Sequence, residues 1–445
     1  MVPWQLPAEL VVVLQPLTTL LHQRSAGRLL PLLTGMLFAQ GRRTVASWLR
    51  AGGLGREYRQ YYYFLGSLGR NTASVAALLL RRVVVLLPLP ERLLFALDDS
   101  PTARYGRHVQ GAGLHHNPTP GPAGPKFLYG HLWVTLALVL RHPLWGTLAL
   151  PLRAWLYVRQ KDVAQLPKRY GVTFQTKLQM AAEALDWLAA WLKFLGKPLW
   201  LVADGAYAKR VVFQAAKATG VILVSRLRKD AALWGVPPSP RPGAKRRRGQ
   251  PRKYGRAALS LAKRAGQRGG WQTGLFTVYG HQVVKTFKTF LATYKPARGL
   301  IRVVLLKEEH QWLALGCTDP KATVAQIVEA FADRAAIEQG FHDLKEVHGA
   351  GKQQVRNYWV NVAVFHLTLW LHTLIELWAW QQAHEALCDR GASPWDDPRR
   401  RTSKADRRNA LRRRCLREQY QHAALGQTVT PEIRALLTGL LQLVA

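Results

Sequence analysis

Apolar residues recur at helical spacing through Leu29, Leu32, Leu33, Met36 and Leu37, which predicts a helix with one buried face. Gly41-Arg42-Arg43-Thr44 interrupts it. A second short helix follows over Val45 to Arg50, and Gly52, Gly53 and Gly55 break that one. Beyond residue 90 the pattern changes. Leu93 to Leu97 is an unbroken apolar run that ends in Asp98-Asp99. After a Gly-, Pro- and His-rich loop from Pro101 to Pro125, Phe127 to Leu140 and Trp145 to Val158 read as two long strands hinged at Arg141-His142-Pro143. Phe174 to Leu195 reads as a helix stopped by Gly196 and Pro198. Leu199 to Ala203 is a second apolar run, this one ending in Asp204, and Tyr207 to Thr219 then reads as a helix before a strand over Val221 to Ser225.

Three strands, then helix, strand, helix, strand, is the order of an RNase H-like fold: α/β, a mixed sheet with helices on both sides. Both Asp98 and Asp204 fall at the C-terminal ends of apolar strands, where such sheets gather their sites. The predicted organisation is an N-terminal helical domain (1–90), a first part of the core (91–226), a β-rich insertion (227–322), a second part of the core (323–385) and a basic C-terminal tail (386–445). The insertion combines a Pro-, Gly- and base-rich loop, Pro237 to Arg256, with alternating stretches at Gly274 to Tyr279, Gln282 to Thr293, Leu300 to Leu306 and Gln311 to Cys317. Thr323 to Val347 and Asn357 to Gln382 read as long helices, and Pro431 to Leu443 as a short terminal one.

Charge narrows the partners. The 445 residues carry 63 Lys+Arg against 26 Asp+Glu, a net charge of +37. At 20% charged residues against a usual ~25%, the imbalance is a shortage of acids as much as an excess of bases. A polyanion suits such a surface, nucleic acid first and an anionic membrane second. The N-terminal helices contain only Glu9, Glu57 and Glu91 before Asp98. They read equally well as a helix-turn-helix variant on a DNA backbone or as a bundle with a solvated basic face. Cys317, Cys388 and Cys415 lie far apart, which argues against a disulfide framework or a zinc-thiolate site and for a reducing compartment. Met1 to Leu20 lacks the basic start of a signal peptide. The best membrane-span candidate, Val360 to Trp380, contains Asn361, His366, His372 and Glu376, each costly in hydrocarbon, so no membrane partner is expected.

Six acids occur between residues 98 and 225: Asp98, Asp99, Asp162, Glu183, Asp186 and Asp204. Carboxylates that meet at one point stay ionised together only beside a cation. On the helix from Thr323, the side chains of Phe331, Arg334, Glu338 and Lys345 share one stripe, with Ile337, Phe341 and Leu344 beside it as an apolar stripe that can pack on the sheet. Glu338 can then supply a third carboxylate while Arg334 and Lys345 hold phosphates. Taken alone, the same stripe also reads as a surface salt-bridge ladder. Asp98-Asp99 and Asp204 also read as turn residues. His115-His116 and His342/His348 do not have convincing zinc-ligand spacing.

With these residues in place the sequence resembles the DDE transposases of bacterial insertion sequences, within the insertion sequence 4 superfamily and most closely its 701-type branch. The resemblance rests on Gly41-Arg42-Arg43-Thr44, Leu97-Asp98-Asp99-Ser100, Tyr129 to Val134, Ala203-Asp204-Gly205-Ala206-Tyr207 and Arg334 to Asn357. The superfamily signature of Tyr, Arg, Glu and Lys is matched at its spacing by Phe331, Arg334, Glu338 and Lys345, with Phe in place of Tyr. The resemblance implies a catalytic, metal-binding triad of Asp98, Asp204 and Glu338, with Asp99 the alternative first acid. It also implies two Mg²⁺ ions (or Mn²⁺), cleavage at terminal inverted repeats, strand transfer into target DNA and a homodimer on DNA. Candidate DNA-binding residues are Arg334, Lys345, Lys245, Arg246, Arg247, Arg248, Arg42 and Arg43, and Trp271 or Trp234 is a candidate base-holding aromatic. The expected location is the bacterial cytoplasm, at the nucleoid. The alternative reading is a catalytically inactive or domesticated relative that binds DNA by sequence.

Overall fold

The computed structural model describes residues 5–117, 125–238, 252–388, 395–397, 399–423, 430–431 and 433. The described residues begin with the α-helices α1 (Ala8–Thr18), α2 (Gln23–Ala26), α3 (Leu29–Phe38), α4 (Val45–Ala51), α5 (Tyr58–Arg70) and α6 (Thr72–Leu86). Strands β1 (Leu93–Ala103), β2 (Gly113–His116), β3 (Phe127–His142) and β4 (Gly146–Tyr157) follow, then α7 (Gln160–Val163), α8 (Lys177–Leu192), β5 (Leu199–Ala203), α9 (Arg210–Thr219) and β6 (Ile222–Leu227). Next come β7 (Leu233–Trp234), β8 (Ala258–Leu259), α10 (Leu261–Gly266), β9 (Gln272–Val278), β10 (His281–Tyr294), β11 (Gly299–Lys307) and β12 (Trp312–Cys317). Then follow α11 (Val324–Asp333), α12 (Ala335–Glu346), α13 (Tyr358–Trp380), α14 (His384–Leu387) and α15 (Lys404–Ala423).

The strands form one mixed sheet in the order β2-β3-β1-β5-β6-β12-β11-β10-β7-β8, with β4 on the outer edge of β3 and β9 on β10. Strands β1, β5 and β6 are parallel, whereas β3 runs antiparallel to β1. This is the mixed α/β architecture the apolar runs predict, consistent with an RNase H-like fold. Leu93 to Leu97 and Leu199 to Ala203 are buried along their whole length, as parallel strands covered on both faces must be. The β-rich segment continues this sheet. β12 pairs antiparallel with β6, Cys317 opposite Val224, and so occupies an edge that would otherwise expose unpaired backbone groups.

The N-terminal helices share their core with the sheet through α13. This helix is long and apolar enough to cross a membrane, yet nearly all of it is buried. It packs on β4 and against α5, α6 and α15. The contact with α5 is backbone to backbone: a Cβ on Gly69 would collide with the carbonyl of Trp359.

One expectation is corrected and another is refined. The single helix read from Thr323 to Val347 is two, α11 and α12, broken at Arg334. Neighbouring residues at the junction point about 100° apart and serve different partners. Asp333 is buried and takes Arg141 and Thr147 from the β3–β4 hairpin, while Arg334 turns toward the ends of the strands. The basic C-terminal tail read after residue 399 is helical over residues 404–423. It folds as α15, and Lys404, Arg407 and Arg412 are buried. Lys404 Nζ lies 2.9 Å from Glu376 Oε1 and Arg407 Nε lies 2.8 Å from Glu376 Oε2. Arg408 donates to the carbonyl of Val347, and Arg412 to those of Leu37 and Ala39. These bases thus tie α13, the end of α12 and the end of α3 together. The helix read over Pro431 to Leu443 falls largely outside the described residues.

Candidate active site

Asp98 and Asp204 arrive side by side because their strands are parallel neighbours. Leu97 pairs with Ala203, so each aspartate is the first residue past that pair, at the same edge of the sheet. Asp204 begins a 3-10 turn over Gly205–Tyr207, and its carbonyl accepts from Ser225 Oγ at 3.0 Å. That bond fixes the turn to the end of β6.

Successive strand residues point to opposite faces, and the two aspartates of β1 do so here. Asp99 is held on the α8 side, by Lys177 Nζ at 2.8 Å and by Tyr207 Oη at 2.8 Å. Asp98 faces α12, where its Oδ2 takes Arg334 Nη1 at 2.7 Å, and its Oδ1 accepts the Asp99 N–H at 2.8 Å. Helices α8 and α12 therefore cover opposite faces of β1.

Glu338 joins the group through the same arginine. Arg334 Nη2 donates to Glu338 Oε1 at 2.7 Å, so one guanidinium clasps both carboxylates. The bonded oxygens of Asp98 and Glu338 are then at most roughly 8 Å apart, two such bonds plus the width of the planar guanidinium. Their helix is seated as its apolar stripe predicts, with Ile337, Phe341 and Leu344 buried and Gly340 against Ala149.

Burial dominates the electrostatics. It pushes the Asp98 carboxyl up to about 6, against the pull of Arg334, and the charges of Asp99 and Asp204 raise it further. Burial and then the neighbouring Asp99 push the Tyr207 hydroxyl far above its ordinary value, so it acts as a fixed donor. A buried carboxyl that feels the charge of neighbouring carboxylates is a place where added positive charge is stabilised. Its donors are all carboxylate oxygens, which suits a hard divalent ion such as Mg²⁺ better than a softer one. Asp98, Asp204 and Glu338 thus fit such an ion chemically. As they stand, no three acidic, His or Cys side chains among the described residues converge closely enough to hold it, and Arg334 is the cation between two of them.

The other candidates are scattered. Arg42 is exposed and Lys345 half-buried, and both line one cavity. Arg43 is half-buried with its side chain against Gly349. Lys245 to Arg248 lie outside the described residues. The rings of Trp271 and Trp234 are each covered by a lysine, Lys288 and Lys295, at 4.6 and 4.4 Å. His115 and His116 face opposite ways on β2, and His348 is buried beside His372. Sequence reasoning did not assign roles to Lys177, whose partner is 78 residues away, or to Arg104, which is buried.

Two family models match the chain: one described as DDE superfamily endonuclease over residues 16–273, the other as Transposase DDE domain over residues 175–374. The first contains Asp98 and Asp204, and the second Asp204 and Glu338. No curated protein matches the chain in sequence. Enzymes of this kind generally work with divalent metal ions. Matched over more than half its length by the first of these models, the chain belongs to the DDE superfamily of endonucleases, as a DDE transposase.

Proposed function

We propose that the chain is the transposase of a bacterial insertion sequence of the insertion sequence 4 superfamily, 701-type branch. It cleaves DNA at terminal inverted repeats and joins the freed 3′-hydroxyl to target DNA, working as a homodimer at the nucleoid. The observation that carries the reading is the clasp of Asp98 and Glu338 on one guanidinium, beside Asp204, at the C-terminal edge of the parallel strands. Both reactions are in-line displacements at phosphorus, so one site serves both.

Asp98, Asp204 and Glu338 would hold two Mg²⁺ or Mn²⁺ ions. When bound, these would activate the attacking oxygen and stabilise the leaving one. The chain's own residues prepare the site. Lys177 and Tyr207 anchor Asp99, which leaves Asp98 as the carboxylate of the pair that faces Glu338 and so as the first acid. Arg334 offers two parallel donors that match a phosphate as well as a carboxylate. The parts act as a helical DNA-binding domain (1–90), a core in two parts (91–226 and 323–385), an insertion carrying the basic loop Lys245 to Arg248 (227–322) and a C-terminal segment (386–445).

The test is nicking of a plasmid that carries the DNA flanking the gene on both sides, with Mg²⁺ or Mn²⁺. Nicks at the element ends by the unaltered chain, lost in Asp98→Asn, Asp204→Asn and Glu338→Gln variants that fold normally, are expected. Full activity in any of the three removes that residue from the triad.

A further inference from the structure

The α12 stripe leads away from the triad into a cavity of about 800 Å³. Lys345 lies seven residues beyond Glu338, roughly 10 Å along the helix. The opposite wall is the continuation of β1 past Asp98, from Pro101 to Ala103, and the loop from Arg104 to Val109. Thr102 is roughly 13 Å along the strand from Asp98. The cavity and the triad are thus built on the same two elements.

Six bases line the cavity, Arg42, Arg104, Arg107, Lys345, Lys352 and Arg356, against a single acid, Glu346. Among the described residues none of the six makes an ion pair. Arg104 stands out because it is 4% exposed. Its Nε donates to His131 Nδ1 at 3.0 Å and its Nη1 to the carbonyl of Gly351 at 2.7 Å. Both acceptors are neutral, since His131 Nε2 donates in turn to the carbonyl of Gln110. Nη2 has no partner. A buried guanidinium without a carboxylate is costly to keep. Burial lowers its pKa only to about 10, so it is charged at neutral pH. The wall opposite includes Gln354, a non-glycine residue with φ of 54°, a strained backbone of the kind that collects at binding sites.

We infer that this cavity is a second anion site, separate from the triad, in which Arg104 and the surrounding bases hold phosphates of the DNA about three base-pair steps from the scissile one. The inference rests on the reading of the chain as a DNA-processing enzyme. The spacing follows from a triad-to-cavity distance of roughly 10–13 Å against a rise of about 3.4 Å per step. The field of Arg104 acts across the cavity floor, and Arg107, Lys352 and Arg356, all exposed, make the contacts.

The test is binding of the full chain to a fluorescein-labelled duplex oligonucleotide of arbitrary sequence, followed by anisotropy across a salt series. Arg107→Glu/Lys352→Glu is compared with Lys193→Glu/Lys321→Glu. The latter makes the same charge change near the opposite sheet edge, where β5 begins and β12 ends. The cavity variant is expected to bind at least about tenfold more weakly than that control, with a salt slope shallower by about two. Arg104→Met, checked for folding by circular dichroism, is expected to weaken binding severalfold with a smaller change of slope than the double variant. Equal losses in the cavity and control variants overturn the inference. So does calorimetric binding of inorganic pyrophosphate as tight as that of the duplex, which marks a site for a small polyphosphate. If the unaltered chain shows no salt-dependent DNA binding at all, it is the transposase reading that fails.

Discussion

Glu376 offers a sharp test of what the basic C-terminal helix does. Its carboxylate on α13 is 2% exposed, and it faces Lys404 and Arg407 of α15, which are 1% and 4% exposed. Lys404 also donates to the carbonyl of His372 at 2.7 Å. The cluster holds two cations on one anion, so removing the anion leaves both buried and uncompensated. Breaking a buried pair in this way costs about 3–5 kcal/mol, against a total stability of about 5–15 kcal/mol for a typical protein. At ~1.4 kcal/mol per decade this raises the open population of α15 by about one hundred- to four-thousandfold. Limited trypsin digestion reads it directly, because Arg407, Arg408 and Arg412 become cleavable only when the helix lifts. Glu376→Gln should be cut rapidly within 404–423 and should unfold at lower urea. The triple variant Glu376→Met/Lys404→Met/Arg407→Leu should return to within about 1 kcal/mol of the unaltered protein, since an apolar replacement has no desolvation cost. If Glu376→Gln is as protected as the parent, or if the triple variant is as labile as the single one, α15 is not held by this charge cluster.

Other outcomes follow from the same contacts. Asp98→Asn should lower DNA nicking by a factor of about 10² or more, whereas Asp99→Asn should lower it less. Equal losses in plasmid nicking would place both carboxylates in the chemistry. Tyr207→Phe removes one donor from Asp99 Oδ1 and should cost about 1 kcal/mol of stability, measured by urea titration. Gly69→Ala should cost about 1–3 kcal/mol through overpacking of α5 on α13, seen as a lower Tm; an unchanged Tm contradicts the close approach at Trp359. Burial holds His131 at about 3 and His366 at about 4, below an unfolded value near 6.5. The unfolded chain therefore binds more protons below pH 6.5. Stability should fall as pH drops through that window, by up to about 1.4 kcal/mol per unit for each histidine until its folded pKa is reached. A Tm that is equal at pH 7 and pH 5 refutes this.

Much of the fold was legible in local pattern. The apolar runs Leu93 to Leu97 and Leu199 to Ala203 declare buried parallel strands because both faces must be covered, and this places Asp204 at a strand end and Asp98 just past the β1–β5 pairing, although β1 itself runs on to Ala103. The stripe of Ile337, Phe341 and Leu344 orients α12 on the sheet, and with it Glu338. These features depend on side-chain periodicity within a dozen residues, which the sequence carries on its own. The contacts between distant segments are a different matter. Arg334 reads as a phosphate ligand from its stripe, and in the fold its guanidinium also bonds Asp98, 236 residues away, a partner that only the packing of α12 on β1 supplies. The bases after residue 399 read simply as a basic tail, but Glu376 on a buried helix takes up Lys404 and Arg407. Arg104 was one arginine among many until Gly351 and His131 closed over it. Which charges are solvated and which are buried depends on what packs against them, and for these residues only the tertiary structure decides it.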